Sequence, residues 1–189
     1  MNELILASSS PRRRMLLRNV GARFRVIPAD CDESGADALP PKERVAELAR
    51  LKCAAVAAEY PDDVVLGADT LVLDADGEVL GKPADEEDAR RMLRALSGRS
   101  NTVYTGVCVI RNGETHLAVE ETEVFFREMS EREIDDYVRS GEPMDKAGAY
   151  GVQERGALFV RRVEGDYFNV VGLPLVLTQR LLRQAGFEL

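Results

Sequence analysis

An aspartate set inside a run of strand-forming residues is the chemically most informative feature of this chain. Residues 64–73 read VVLGADTLVL, with Asp69 the one charged group among them. A run that is apolar on both faces predicts a strand buried on both sides. An ionised carboxylate costs several kcal/mol there unless a metal, a cation or hydrogen bonds compensate it. Asp69 therefore requires a partner. The DADG turn from Asp74 to Gly77 folds the chain back through Glu78 to Leu80 as a hairpin, which carries Lys82 toward the level of Asp69. A lysine facing a strand-borne acid is the first candidate for an active site.

A second constellation lies near the start. A short strand over Glu3 to Ala7 runs into Ser8, Ser9 and Ser10, and Ser10 before Pro11 is a helix start signal. Free amides and the helix dipole at that end make an anion site in which Ser8 and Ser10 supply hydroxyls. Arg12, Arg13 and Arg14 follow in the first turn, where their charge opposes the dipole. That opposition makes sense if an anion such as a polyphosphate sits there, whereas a capped helix with solvated arginines is the plain alternative. Lys52 falls on the apolar stripe Val45, Leu48, Ala49, Val56 of a helix predicted from Pro41 to about Tyr60, so it either snorkels out or points into a polar site. The acids Asp30, Asp32 and Glu33 share a loop that would ordinarily be solvated. Asp145, Lys146 and Gln153, in the glycine-rich stretch EPMDKAGAYGVQERG, are groups of the kind that line a polar pocket.

The elements that must position these groups follow the order β, α, β, α, β hairpin, α, then a long antiparallel pair turned at Asn112 and Gly113. Next come a helix capped by Ser130 with Glu133 in a capping box, a strand over Leu158 to Val163, and a final helix from about Leu173. The first helix should bury Met15, Leu16 and Leu17. This order predicts an α/β fold with a mixed sheet and helices on its faces. A chain of 189 residues suits one domain, and 45% apolar with 31% charged residues is ordinary for a globular protein.

Composition excludes several function classes. With 25 basic and 33 acidic residues the net charge is −8, which argues against nucleic acid as a partner. Cys31, Cys53 and Cys108 form no CxxC pair, which excludes a disulfide framework or zinc site and fits a reducing cytoplasm. The N-terminal apolar run is too short for a signal peptide, and no run is long enough to span a bilayer. Neither a GxxxxGK phosphate loop nor a GxGxxG fingerprint occurs. His116 is the single histidine and falls in an outer strand, which argues against a serine or cysteine triad built on histidine. Oxygen ligands remain, and they favour magnesium or manganese.

Taken together, ASSSPRR (Ala7 to Arg13), Glu33, Lys52 in ARLKCAA, GADT (Gly67 to Thr70), LGKP (Leu80 to Pro83), YTGV (Tyr104 to Val107), DKAGAYGVQ (Asp145 to Gln153) and GDYFNVVGLP (Gly165 to Pro174) resemble the Maf family of nucleoside triphosphate pyrophosphatases. The resemblance spans nearly the whole chain. It implies one domain over residues 1–189 with an ITPase-like fold, in which two lobes flank a central cleft. It further implies hydrolysis of a nucleoside triphosphate to the monophosphate and pyrophosphate with Mg2+ or Mn2+, in the cytoplasm, by a homodimer with neither a nucleic acid nor a membrane partner. Asp69 would be the general base, Arg13, Lys52 and Lys82 would neutralise phosphate charge, and Glu33 would help Asp69 hold the metal or the water. Arg12, Thr70 and Gln153 resemble the branch acting on dTTP and UTP, and differ from the branch acting on 7-methylguanosine triphosphate. An amide such as Gln153 can pair with a pyrimidine's carbonyl and imino edge. Asn101 departs from the family, where a histidine is expected. The family is also associated with arrest of septum formation, so a nucleotide sensor in cell division is the competing reading.

Overall fold

In the computed structural model, which describes residues 3–189, strand β1 spans Leu4–Leu6 and leads into helix α1, Pro11–Asn19. The Ser10 hydroxyl accepts from the Arg13 N–H and caps that helix, with Pro11 in its first turn. Strand β2 (Phe24–Val26), helix α2 (Pro41–Glu59) and strand β3 (Val64–Leu73) follow. One oxygen of Asp74 accepts from the N–H groups of Asp76 and Glu78, both at 2.9 Å, and Gly77 takes a φ of 84°. These features turn the chain back into β4 (Val79–Leu80), antiparallel to β3. Helix α3 (Glu86–Leu96) precedes the long strands β5 (Ser100–Arg111) and β6 (Glu114–Phe126), turned at Asn112 and Gly113, both at positive φ. Helix α4 (Glu131–Arg139) carries the Ser130 and Glu133 capping box. Three 3-10 turns lead to β7 (Val160–Glu164), and helices α5 (Tyr167–Val171) and α6 (Leu175–Gln184) close the chain.

The sheet is mixed, as the element order implied. Its seven strands run β2, β1, β3, β5, β6, β7, with β4 paired to β3. β1 is parallel to both β2 and β3, with helices α1 and α2 as crossovers, whereas β7 is antiparallel to β6. Three details depart from expectation. Met15 is 36% exposed, so only Leu16 and Leu17 of its trio are buried. The last strand begins at Val160, because Arg155–Leu158 coil into a 3-10 turn. The final helix begins at Leu175 and is preceded by α5, which Asp166 opens by accepting from the Phe168 N–H at 2.7 Å.

The chain divides into two compact units. The first comprises residues 1–70, 105–120 and 172–189, and the second residues 71–104 and 121–171. In the first, Ile5, Ala7, Val65 and Cys108 pack against Ala49, Cys53 and Val56 of α2. In the second, Met92, Leu93 and Leu96 of α3 pack with Ile134, Tyr137 and Val138 of α4 and with Phe126, Tyr150 and Phe159. Asn101 lies inside this core, where its amide donates to the Val124 carbonyl and its oxygen accepts from the Tyr150 hydroxyl at 3.1 Å. Burial first of all raises the Tyr150 pKa, so the phenol stays a donor.

Within the first unit α2 lies unusually close to the sheet. A Cβ at Gly67 would stand 2.7 Å from the Ala49 carbonyl oxygen and 2.7 Å from Cys53 Cβ, and one at Gly106 would overlap the Val45 carbonyl. The two glycines thus set the depth at which the helix rides. Gly67→Ala should lower stability by about 1–3 kcal/mol, the usual cost of overpacking, which urea denaturation would measure.

Candidate active site

Along β3 side chains alternate between faces, and residues 65, 67 and 69 face α2. Val65 meets Cys53, whose thiol donates to the Val65 carbonyl at 3.1 Å, and Gly67 lets the helix backbone approach. Asp69 is next on that face, and Lys52, beside Cys53, reaches it. The Lys52 Nζ donates to one Asp69 oxygen at 2.5 Å and lies 3.3 Å from a Glu33 oxygen. The Asp69 and Lys52 side chains are 14% and 19% exposed, against 48% for Glu33. The pair is therefore largely withdrawn from water while the second acid stays wet. One ammonium holds two carboxylates together.

Thr70 points to the opposite face and belongs to a second network. The Arg13 guanidinium donates through Nη2 to the Thr70 hydroxyl at 3.0 Å, through Nη1 to the Ser8 hydroxyl at 3.2 Å, and through Nε to the Gly172 carbonyl at 2.8 Å. Loss of water around it lowers the Arg13 pKa, with Asp69 opposing and Arg12 adding to that effect. It remains a cation. The Ser8 oxygen also accepts from the Ser10 N–H at 3.2 Å, which leaves its own proton to donate outward. Thr70 is joined at 3.0 Å to the hydroxyl of Thr105, a fully buried residue. Asp69 and Thr70 thus carry two cationic groups to opposite faces of one strand.

The residues anticipated from sequence fall into two sets. Ser8, Ser10, Arg12, Arg13, Glu33, Lys52, Asp69 and Thr70 belong to the first unit. Lys82, Lys146 and Gln153 belong to the second. The hairpin argument is corrected in one respect: the cation on Asp69 is Lys52, reaching from a helix. Antiparallel pairing of β4 ends at Val72 opposite Leu80, and Lys82 lies beyond it, exposed. Lys146, read from sequence as a group that binds substrate in a polar pocket, is turned inward. It is 6% exposed and its ammonium is committed to the Glu142 carbonyl at 2.7 Å and to Asp145 at 2.8 Å. Gln153 is exposed on its loop. Sequence reasoning assigned nothing to Thr105, although YTGV contains it, nor to the Gly172 carbonyl, which no side-chain pattern could have marked.

The family model for Maf-like proteins matches residues 3–185. This chain belongs to the Maf family. A Geobacillus sp. (strain WCH70) protein named dTTP/UTP pyrophosphatase is 51% identical over 187 residues, covering 99% of this chain and 100% of its own. A protein of the same name from Symbiobacterium thermophilum is 53% identical over 189 residues, covering 100% of this Maf chain and 97% of its own. Among solved structures, a HAM1 protein from Coxiella burnetii aligns with 84% of this chain and 92% of its own, at 19% identity and a TM-score of 0.48.

The donors around Lys52 can be tested against the divalent cation that the family implies. Asp69 and Glu33 offer only carboxylate oxygens, and among the described residues no group of three or more acidic, histidine or cysteine side chains is gathered for a metal. Such a set fits a hard cation like Mg2+, which is held by one or two carboxylates and completes its shell with substrate phosphates and water. Zinc would want more protein ligands than this.

Lys52→Met keeps the apolar stem but leaves Asp69 without its ammonium. Urea denaturation at neutral pH should show a loss of about 1–3 kcal/mol, in the range for stranding a partly buried ionic partner.

Proposed function

We propose that this Maf protein is a nucleoside triphosphate pyrophosphatase that converts dTTP and UTP to the monophosphate and pyrophosphate. The observation that carries this reading is the Asp69 carboxylate, largely withdrawn from water on β3, with Lys52 on it and Arg13 bonded to the next residue, Thr70. The names of the relatives at 51% and 53% identity support the choice of substrate. No helix among the described residues is long and apolar enough to cross a membrane. On this reading residues 1–189 act as one functional domain, in the cytoplasm where nucleotides are held, as the homodimer that the family resemblance implies.

The chemistry asked of these groups is modest. Water attacks the α-phosphorus, the bridging bond to the β-phosphate breaks, and pyrophosphate leaves. Asp69 accepts the proton of that water, as a carboxylate within reach of a hydroxylic proton can. Lys52 holds Asp69 in place and, with Arg13 and Lys82, offsets charge that builds on the phosphate oxygens. Ser8 donates its free proton and Arg12 adds positive charge beside α1. Mg2+ or Mn2+, held by Asp69 and Glu33 together with the phosphates, would neutralise charge on the polyphosphate. Thr70, Arg12 and Gln153 select the base and sugar end, with the Gln153 amide addressing the carbonyl and imino edge of thymine or uracil. Lys146, which the sequence placed among the ligands, acts at one remove.

A panel of nucleoside triphosphates with magnesium tests the reading. Pyrophosphate should appear from dTTP and UTP well ahead of other bases, and a chelator should stop it. Asp69→Asn should lower kcat about a hundred- to ten-thousandfold, the span of a general base, in a protein that still folds and unfolds cooperatively. Orthophosphate as the sole product would refute the cleavage position. A preference for 7-methylguanosine triphosphate would refute the base assignment, and tight nucleotide binding without turnover in any divalent metal would favour the sensor instead.

A further inference from the structure

Gln153 sits on a hoop of chain whose two feet are closed against each other. A Cβ on Gly156 would stand 2.6 Å from the Gly151 carbonyl oxygen and 2.7 Å from the Tyr137 hydroxyl, so these backbones are in direct contact. The backbone donors at the feet converge on two side chains. The Gly151 N–H donates to the Tyr137 hydroxyl at 3.2 Å, the Arg155 N–H to one Glu142 oxygen at 3.1 Å, and the Gly156 N–H to the other at 3.1 Å. The Tyr137 hydroxyl in turn donates to Glu142 at 2.8 Å. Burial, with Glu142 adding to it, holds the Tyr137 phenol well above its ordinary pKa, so the proton stays in place. Lys146 completes the lock: its ammonium lies 3.5 Å from Glu154 and bonds the Glu142 carbonyl, and its stem packs so tightly that a Cβ on Gly151 would stand 2.7 Å from it.

Nothing in this lock faces outward as a ligand. Tyr137 is 1% exposed, Lys146 is 6% exposed, and the Glu142 oxygens are engaged by three donors. The bonds that reach the hoop end at Gly151, Glu154, Arg155 and Gly156, on either side of Gln153, which is itself exposed. A base-reading amide on a slack loop would give up conformational freedom on binding each nucleotide, and would tolerate more than one edge by turning over. A fixed hoop removes both problems.

We propose that Glu142, Tyr137 and Lys146 are positioning residues for base selection, acting through the hoop that presents Gln153. The proposal rests on the reading above that Gln153 addresses the base. It gives Lys146 a place in specificity without contact to substrate. Because the lock touches neither Asp69 nor Lys52, its loss belongs in KM and selectivity and leaves kcat alone.

The test compares Glu142→Gln, Gln153→Ala and the double variant, each assayed for pyrophosphate release from dTTP and from dCTP. Glutamine keeps the size of Glu142 but offers one acceptor oxygen where three donors converge. Glu142→Gln should raise KM for dTTP and lower the dTTP to dCTP ratio of kcat/KM, each by roughly tenfold, with kcat within about twofold of wild type. Gln153→Ala should lower the dTTP to dCTP ratio in the same direction, and the double variant should be no less selective than Gln153→Ala alone. If Glu142→Gln does not fold, Tyr137→Phe removes the two bonds of one hydroxyl while keeping the ring against Phe159, and should shift the ratio in the same direction by about threefold. A ratio that falls in Gln153→Ala but holds in Glu142→Gln, or in its Tyr137→Phe stand-in, leaves the base reading standing and overturns the lock. A ratio unchanged in Gln153→Ala overturns both. Loss of kcat on both nucleotides with the ratio intact marks the three residues as structural only and overturns the proposal.

Discussion

The ion pair between Lys52 and Asp69 depends on how closely a helix can lie on a strand. Lysine reaches only as far as its four-carbon stem, so the depth at which the helix lies decides where on the sheet its ammonium comes to rest. Gly67 and Gly106 remove the Cβ atoms that would hold α2 away, and the helix backbone settles against them. The pair then forms at 2.5 Å where both partners are mostly shielded, and Coulomb attraction is stronger there than in water. Glu33, more exposed, joins the same ammonium from its loop. Asp69 is thus held between its strand and the ammonium that α2 delivers.

Strand alternation gives the second half of the design. Asp69 and Thr70 are neighbours in sequence but face opposite sides of β3, so one strand carries the acid bound by Lys52 on one face and the Arg13 anchor on the other. The guanidinium is planar and its donors are fixed in direction, so three acceptors on Ser8, Thr70 and Gly172 determine its orientation completely. A lysine there would keep the charge and lose the aim.

Much of this was legible in the residues. Period and turn chemistry gave β3, the DADG return, the Asn112 and Gly113 hairpin and both serine caps, because each depends on local rules that tertiary contacts did not override. The need of Asp69 for a cation was legible too. Which cation was not, since choosing between Lys82 and Lys52 requires the height of α2 over the sheet, set by two glycines that look like ordinary strand residues. The enclosure of Lys146 was hidden for a related reason. A lysine in a glycine-rich polar stretch reads as accessible, and only its packing against Gly151 shows that its stem is enclosed. Helix α5 was missed because five residues are too few for a periodic signal.

Neither compact unit is a continuous stretch of polypeptide. Strands β3, β5 and β6 each begin in one and finish in the other, at residues 70, 104 and 120, and the chain returns a last time at 171. No cut in the gene can therefore release one as an independent product, and a ribosome must deliver the carboxyl-terminal helix before the amino-terminal unit has all its parts. Assembly is bound to be late and to join segments far apart in sequence, which places this protein among slower folders for its length.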